Sequence, residues 1–207
     1  MQRFYPVYLD INGKKCVIVG GGKVAHRKAC SLKEAGADVV IISPEVSPEI
    51  LEEEGLAIIK ENYNKSYLEG ALLVIAATDD ESVNRKVALD AGERDIIVNV
   101  VDRPEFCSFI VPSSINRGDL CISISTGGAS PALAKNIRKD LEDIFGPEYG
   151  EYISLLTRMR NVAMDDIKDD KKRRKILQRL AEKDILEIVK TKGIKEAEAK
   201  MRGIIFQ

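Results

Sequence analysis

The sequence predicts an α/β fold in which helices cover both faces of a parallel sheet. Two observations carry this prediction. Short apolar runs alternate with stretches of helical spacing over the first half of the chain, which is typical of βαβ units. The first run ends in Gly20, Gly21 and Gly22, and a helical pattern begins directly after them. Strands that alternate with crossover helices form parallel sheets.

The elements of this sheet follow one another at short intervals. Strands are predicted from apolar runs at residues 14–19, 38–42, 56–60, 72–76 and 96–100. Helices are predicted between them at residues 24–34, 47–54 and 80–92. Ser47 followed by Pro48 is a helix-start signal, and Gly36 and Gly55 each follow a helical pattern as stops.

The alternation ends past Arg103. Two strand-like segments, residues 106–111 and 120–125, predict a β-pair rather than another crossover unit. Ser130 as N-cap and Pro131 at the first helical position then predict a helix.

From Tyr149 onwards the pattern is helical, with a break near Gly193. We therefore expect three parts. They are a sheet domain over residues 1–112, a small mixed α/β segment over 113–146 and a helical domain over 147–207.

Composition narrows the function classes. The formal net charge is -1 over 207 residues, so no global basic field would recruit nucleic acid. No apolar run approaches the length of a membrane span, and the N-terminus lacks the apolar core of a signal peptide. We expect a cytoplasmic protein with neither a membrane nor a nucleic-acid partner.

Cysteine and histidine usage predicts no metal site. The four cysteines are scattered without a C-x-x-C pair, and His26 is the only histidine. Cys16 and Cys121 lie in apolar runs, where cysteine acts as a small hydrophobe. His26 is interpreted as a surface residue of the first helix.

The glycine turn indicates dinucleotide binding. Gly20, Gly22 and Ala25 match the spacing G-x-G-x-x-G/A between a strand and a helix, the arrangement of a Rossmann-like fold. Gly20 permits the turn, Gly22 lets a diphosphate reach the backbone, and Ala25 keeps helix and strand close. The free N–H groups at the helix start favour phosphate. The spacing of a nucleoside triphosphate loop, G-x-x-x-x-G-K-S/T, is absent from the sequence.

The second predicted strand lacks the acid that usually holds the ribose. Ser43, Pro44 and Glu45 stand there instead, and Ser43 or Glu45 could still bind a ribose hydroxyl. No arginine is present to favour a 2′-phosphate. NAD is therefore favoured over NADP.

Four stretches together resemble the NAD-dependent precorrin-2 dehydrogenase module of siroheme synthases. They are GGGKVAHRKACSLKEAGADVVIISPE, AATDDESVNRKVALDAG, VNVVDRPEFCSFIVPSSINRGDL and ISTGGASPALAKNIRKDLE. The resemblance implies oxidation of the tetrapyrrole precorrin-2 to sirohydrochlorin by NAD+. In some members it also implies Fe2+ insertion to give siroheme. It further implies a Rossmann domain, a dimerisation segment and a helical domain, assembled as a homodimer.

The resemblance also implies the site residues. The catalytic carboxylate would be Asp102, which lies just past a strand end. Without the resemblance, a turn residue before Arg103-Pro104 would be the preferred interpretation of Asp102. The cofactor would contact the turns after three strands, at Gly20, Gly22, Lys23, Val24, Ser43, Pro44, Glu45 and Thr78, and also Asn99, three residues before Asp102.

A second glycine turn is a candidate for substrate binding. Ser125, Thr126, Gly127 and Gly128 precede a well-capped helix whose free N–H groups suit a carboxylate of the tetrapyrrole. An ordinary strand-to-helix turn at a dimer contact fits the same residues equally well.

Two other functions remain open from the sequence. One is an NAD-sensing regulatory module of the kind that controls potassium transport, which shares the glycine turn and a segment like ATDDESVNRKVALDAG. The other keeps the fold but makes metal insertion the main task, with Asp102 serving both reactions.

Overall fold

The structure is a computed structural model that describes residues 4–206. The chain divides into two compact units between Val111 and Pro112. Each unit has its own apolar core. Within the described residues, no helix has the length and apolar character needed to cross a membrane. The division of the second unit into a mixed segment and a helical domain stays a prediction.

The first unit is built on a five-stranded parallel sheet. Its strands, in spatial order β3-β2-β1-β4-β5, are β1 (Lys15–Val19), β2 (Asp38–Ile42), β3 (Ala57–Ile59), β4 (Leu73–Ala76) and β5 (Ile97–Val100). Its helices are α1 (Lys23–Glu34), α2 (Pro48–Glu52) and α3 (Glu81–Gly92). These bounds agree with the predicted ones to within two residues, and the predicted α/β class is confirmed.

Alternation along the strands fills a core on each face of the sheet. Val17 and Val19 contribute to one apolar cluster, whereas Cys16 and Ile18 contribute to the other. Successive side chains of a strand point to opposite faces, so β1 is buried on both sides, as a central parallel strand must be.

The register aligns the carboxyl ends of four strands. Ile42 pairs with Val19, Val19 with Ala76, and Ala76 with Val100. These four residues form one row across the sheet. The turns that follow them therefore share one edge.

The predicted strand at residues 106–111 is wrong. The chain instead forms a short 3-10 turn at Pro104–Phe106, and a segment fixed to β5 by side chains follows. Ser108 N donates to Val98 O at 2.8 Å, and Val98 N donates to Ser108 Oγ at 2.8 Å. The Ser108 hydroxyl thus takes the place of a backbone partner, and no ladder develops.

The second unit begins with an antiparallel pair, β6 (Ser113–Arg117) and β7 (Leu120–Ile124). The first strand of this pair therefore lies in what the sequence predicted as the connection. Cys16 is fully buried, in keeping with the small-hydrophobe role expected of it, whereas Cys121 of β7 is exposed and does not have that role.

Helices form the rest of the second unit: α4 (Pro131–Ile144), α5 (Glu148–Asp166), α6 (Asp170–Leu180), α7 (Lys183–Lys192) and α8 (Ile194–Phe206). Leu155, Met159 and Met201 are among the side chains of their common core. The predicted break at Gly193 is confirmed by a φ of 88°. Asp184 ties three helices together, because it accepts hydrogen bonds from Arg179 at 2.8 Å and Lys200 at 2.7 Å.

Candidate functional site

The turns at the carboxyl edge of the parallel sheet form the candidate site. They follow the row Ile42, Val19, Ala76 and Val100. The strand order reverses between β1 and β4, and open parallel sheets bind ligands in the crevice outside such a switch point. Most of the cofactor positions implied by the resemblance lie in these turns.

Gly20 leaves β1 in a conformation that only glycine adopts readily. Its φ is 129°, and a Cβ built on it would lie 2.3 Å from the carbonyl oxygen of Ala77. The turn after β1 is thus packed directly against the turn after β4. This contact explains the sharp turn that the sequence predicted at Gly20.

Gly21 was missed by sequence reasoning. A Cβ built on Gly21 would lie 2.0 Å from the carbonyl oxygen of Glu45 and 2.8 Å from Ser43 Oγ. Ser47 N also donates to Gly21 O at 2.8 Å. The glycine therefore joins the turn after β1 to the turn after β2. Its only signal in the sequence is that the run holds three glycines, one more than the G-x-G spacing requires.

Gly22 provides open backbone at the start of α1. No heavy atom of the described chain lies within 4 Å of a Cβ built there. Gly22 is the N-cap residue and makes no side-chain cap, and the first turn of α1 carries Lys23 but no acid. Uncapped N–H groups and the positive helix end suit a phosphate. These residues fit a dinucleotide diphosphate.

The turn after β2 is held by its own hydrogen bond. Ser43 is buried, and its hydroxyl donates to the carbonyl oxygen of Glu45 at 2.6 Å. Pro44 and Glu45 are exposed. The Ser43 hydroxyl hydrogen is therefore used within the turn, whereas the exposed carboxylate of Glu45 has no partner among residues 4–206.

Thr78 is fixed by a neighbour that the sequence did not single out. Asn84, buried in α3, accepts from Thr78 N at 3.2 Å and donates to Thr78 O at 2.8 Å. The Thr78 hydroxyl lies 2.8 Å from Asn84 Oδ1 and accepts from Asp80 N at 3.2 Å. Asp80 caps α3, and hydrogen bonds, first from Ser82, hold the pKa of its carboxyl below the ordinary value. The turn after β4 is thus rigid.

Asp102 lies in a tight turn directly after β5. Val101 N donates to Ala76 O at 3.0 Å and extends the sheet by one residue, and Arg103 N then closes the turn onto Val100 O at 3.2 Å. Asp102 has a φ of 59° and is exposed. Across residues 4–206, no group forms a hydrogen bond or ion pair with its carboxylate. Unusual backbone conformations in non-glycine residues cluster at functional sites.

The thiol of Cys107 stabilises this turn through contacts with the backbone on either side of Asp102. Val100 N donates to its sulfur at 3.2 Å, and the thiol lies 3.3 Å from the carbonyl oxygen of Arg103. Burial raises the pKa of the Cys107 thiol, so it remains a neutral S–H donor. Asn99 contributes by donating to Phe109 O at 3.0 Å. The role of Asn99 in cofactor binding stays a prediction.

The predicted substrate turn lies in the second unit, between β7 and α4. The Thr126 hydroxyl accepts from Ser130 N at 3.0 Å, and Gly127 N donates to Ser125 Oγ at 3.1 Å. Gly127 and Gly128 have φ values of 62° and 87°, with open space where a Cβ would stand. The side chains of Ser125 and Thr126 thus fix the turn by hydrogen bonds, and its two glycines leave the backbone accessible.

Comparison with known proteins is consistent with this geometry. Residues 7–113 match the sequence model of a family described as "Putative NAD(P)-binding", and residues 117–144 match "Sirohaem biosynthesis protein central". The siroheme synthase of Methylobacillus flagellatus is 38% identical over 172 residues, which cover 82% of this chain and 37% of that protein. The siroheme synthase of Nitrosococcus oceani is 34% identical over 207 residues, 99% of this chain and 44% of that protein.

A solved structure named "SirC, precorrin-2 dehydrogenase" has the same fold. It superposes with a TM-score of 0.80 at 26% identity, covering 97% of this chain and all of that one. The chain thus spans only about two fifths of the siroheme synthases that it matches, but the full length of this structural neighbour.

Proposed function

The chain belongs to the NAD(P)-binding family that recurs within siroheme synthases, and on this premise we propose that it is an NAD-dependent precorrin-2 dehydrogenase. Its product would be sirohydrochlorin. The observation that carries the proposal is the exposed carboxylate of Asp102, which has no partner among residues 4–206 and follows a backbone at positive φ on the same sheet edge as the open glycine turn. The NAD-sensing alternative gains no support from relatives named siroheme synthase.

The glycine turn and its neighbours would hold the cofactor. The backbone at Gly22, Lys23 and Val24 would receive the diphosphate, and the turns at Ser43–Glu45 and Thr78 would border the rest of the nucleotide. A bound NAD+ supplies the hydride acceptor.

Asp102 would handle the proton. Oxidation of precorrin-2 removes two hydrogens, one as hydride and one as a proton, and the second needs a base or a group that holds the pyrrole N–H. The carboxylate is exposed and has no ion-pair partner in the described part of the chain, so it would be able to accept this proton. The tight turn with positive φ fixes where that carboxylate stands.

We assign NAD rather than NADP because of Glu45. This exposed carboxylate follows β2, where the adenosine ribose lies in related folds, and it would repel a 2′-phosphate. Replacing it by a neutral residue should improve NADP+ use relative to NAD+. An unchanged preference of Glu45→Gln would contradict this assignment.

The dehydrogenase proposal is tested by mixing the protein with precorrin-2 and NAD+. The readouts are reduced nicotinamide and the absorption band of sirohydrochlorin. Asp102→Asn should lower kcat by about 100-fold or more while NAD+ binding is retained. The matched control is Asp95→Asn, because Asp95 is also exposed and has a φ of 55°, but it lies at the opposite end of β5.

Two outcomes would refute the proposal. Full activity of Asp102→Asn would remove the carboxylate from the chemistry. Tight NAD+ binding by the wild-type chain without any turnover of precorrin-2 would instead favour the sensing module.

We further propose that Asp102 can serve in Fe2+ insertion, since siroheme contains iron and the same carboxylate could take the pyrrole protons that iron displaces. Iron is a substrate in this step. Assaying sirohydrochlorin and Fe2+ without NAD+ separates it from dehydrogenation. Siroheme formation that survives in Asp102→Asn would contradict a shared carboxylate.

The substrate turn would bind a carboxylate of the tetrapyrrole. Its support is the open backbone at Gly127 and Gly128 next to the start of α4. Ser125→Ala should raise KM for precorrin-2 with little change in kcat, because Ser125 Oγ fixes Gly127 N. An unchanged KM would remove this turn from the substrate site.

A homodimer is proposed from the apolar surface of the second unit. Leu133 and Ile144 of α4 are 51% and 57% exposed, and Ala134 is the one buried residue of this helix. A two-stranded sheet has marginal stability alone. A second copy of the chain that covers α4 would therefore stabilise the β6–β7 pair on which α4 packs. Leu133→Asp should produce a monomer in light scattering. A wild-type monomer at micromolar concentration would contradict the dimer.

The cytoplasm is the proposed location. No disulfide bond joins any two cysteines within residues 4–206, as expected in a reducing compartment.

A further inference from the structure

Three potential metal ligands meet between α1 and the end of α2. His26 and Cys30 are one helical turn apart on α1, so they share a face. Glu53 is the residue that ends α2. Cys30 Sγ lies 3.4 Å from His26 Nε2 and 3.7 Å from Glu53 Oε2, and the latter two atoms are 3.6 Å apart. The three atoms form a nearly equilateral triangle.

The size of this triangle matches one face of a tetrahedral metal site. Bonds of about 2.0–2.3 Å to nitrogen, oxygen and sulfur, set at tetrahedral angles, place the ligand atoms ~3.3–3.6 Å apart. The observed edges of 3.4 and 3.6 Å lie within that range, and the edge of 3.7 Å lies just beyond it. Binding would therefore require only small side-chain movements.

The cluster is partly open to solvent, which would allow water as a fourth ligand. The side chains of His26 and Glu53 are 27% and 28% exposed, so the cluster is neither sealed nor fully solvated. Three protein ligands and an open position form the usual coordination of an accessible zinc site. This surface is built by the helices beside the sheet, and no residue assigned to the reaction belongs to the cluster.

Glu53 is already oriented for such a role. Its other oxygen, Oε1, forms an ion pair with Lys33 on the next turn of α1. This pair holds the pKa of the Glu53 carboxyl below its ordinary value and turns Oε2 towards the cysteine and histidine. A ligand fixed by an outer partner is typical of protein metal sites.

We propose that His26, Cys30 and Glu53 bind a divalent transition-metal ion of borderline softness, of which Zn2+ is the representative. The donors are one imidazole nitrogen, one thiolate sulfur and one carboxylate oxygen, a set that selects against Ca2+ and Mg2+. On binding, the Cys30 S–H bond breaks, a sulfur–metal bond forms and the proton leaves to solvent. The ion would link α1 to α2, a helix of five residues.

The test uses the full chain without a polyhistidine tag, stripped of metal and titrated with Zn2+ against a chromophoric chelator. One Zn2+ per chain is expected. Co2+ in place of Zn2+ should give a thiolate charge-transfer band and the visible bands of a tetrahedral site. Because His26 is the only histidine, the imidazole nitrogen resonances should report its binding without any assignment.

Variants then identify the ligands. Cys30→Ser should abolish the charge-transfer band and weaken Zn2+ binding by at least ~10-fold, and His26→Gln and Glu53→Gln should weaken it similarly. Cys121→Ser is the thiol control, since this exposed cysteine belongs to the other unit, and it should bind Zn2+ like the wild type.

Three results would overturn the proposal. These are no stoichiometric Zn2+ binding by the wild-type chain, an unchanged His26 resonance on saturation, and a Co2+ spectrum unaffected by Cys30→Ser. The first two use only the wild-type chain, so they decide the matter even if a variant fails to fold.

Discussion

Gly21 and Gly22 offer a sharp test of the cofactor site, because the structure gives these two neighbours opposite roles. In Gly22→Ala the new methyl group enters open space at the start of α1. In Gly21→Ala it would lie 2.0 Å from a backbone carbonyl oxygen. We expect the first change to impair NAD+ binding alone and the second to impair folding as well.

The magnitudes follow from these two environments. Alanine is a poorer N-cap than glycine, which should cost Gly22→Ala less than about 1 kcal/mol of folding free energy. Its methyl group would keep a diphosphate from the backbone. A hydrogen bond to a charged group contributes ~1.5–3 kcal/mol, so the loss of one should weaken NAD+ binding by about 10–100-fold. Gly21→Ala must move the main chain at Glu45 and should cost ~2 kcal/mol or more of stability.

Two measurements separate these effects. Urea denaturation gives the free energy of unfolding, and calorimetric titration gives the dissociation constant of NAD+. Gly92→Ala is the control, since Gly92 ends α3 in open space and lies away from the carboxyl edge of the sheet. A Gly22→Ala variant that binds NAD+ like the wild type would refute the close approach of the diphosphate.

Further predictions concern the supports of the fold. Asn84→Ala should destabilise the protein by ~1–3 kcal/mol and weaken NAD+ binding, because Thr78 loses its buried partner; unchanged NAD+ titration would contradict this. The folded state holds the Cys107 proton more tightly than the unfolded state, so stability should fall as pH rises past the ordinary thiol pKa of 9.0. Cys107→Ala should make this alkaline decline in urea denaturation shallower. Hydrogen bonds, first from Arg179, lower the pKa of Asp184, so its contribution should be complete above pH 3.8 and lost below it. In Asp184→Asn, the stability of the helical unit should depend less on pH in the acid range, as measured by thermal unfolding at a series of pH values.

The parallel sheet was predictable because its signals are local. Each strand is a short apolar run, and Ser47 and Pro48 stand at the start of α2 as the sequence predicted. The position of β6 was not predictable from the same signals. Residues 106–111 are as apolar as a strand, but Ser108 binds the backbone of β5 through its side chain, and this competition cannot be read from hydropathy.

The parts of the site that were missed depend on tertiary contact. Gly21 is constrained by Glu45, a residue in another turn, and Asn84 acts on Thr78 from a helix. The proximity of His26, Cys30 and Glu53, outside this site, was likewise not predictable, because Glu53 comes from the end of α2 and sequence spacing shows only the helical pair. Contacts of this kind join residues that are distant in the sequence, so they are known only from the three-dimensional structure.

Backbone packing at the carboxyl edge explains how Asp102 can have a strained backbone and still occupy a fixed position. The ladder continues one residue past β5 through Val101 N, so the position of the next residue is set by the sheet. Asp102 then turns away at positive φ, a conformation that costs of order 1–3 kcal/mol and persists only where the surroundings fix it. Cys107 supplies that support through Val100 and Arg103. The backbone at Asp102 is therefore fixed by the sheet and by Cys107, and no group within residues 4–206 pairs with the carboxylate that we propose for the reaction.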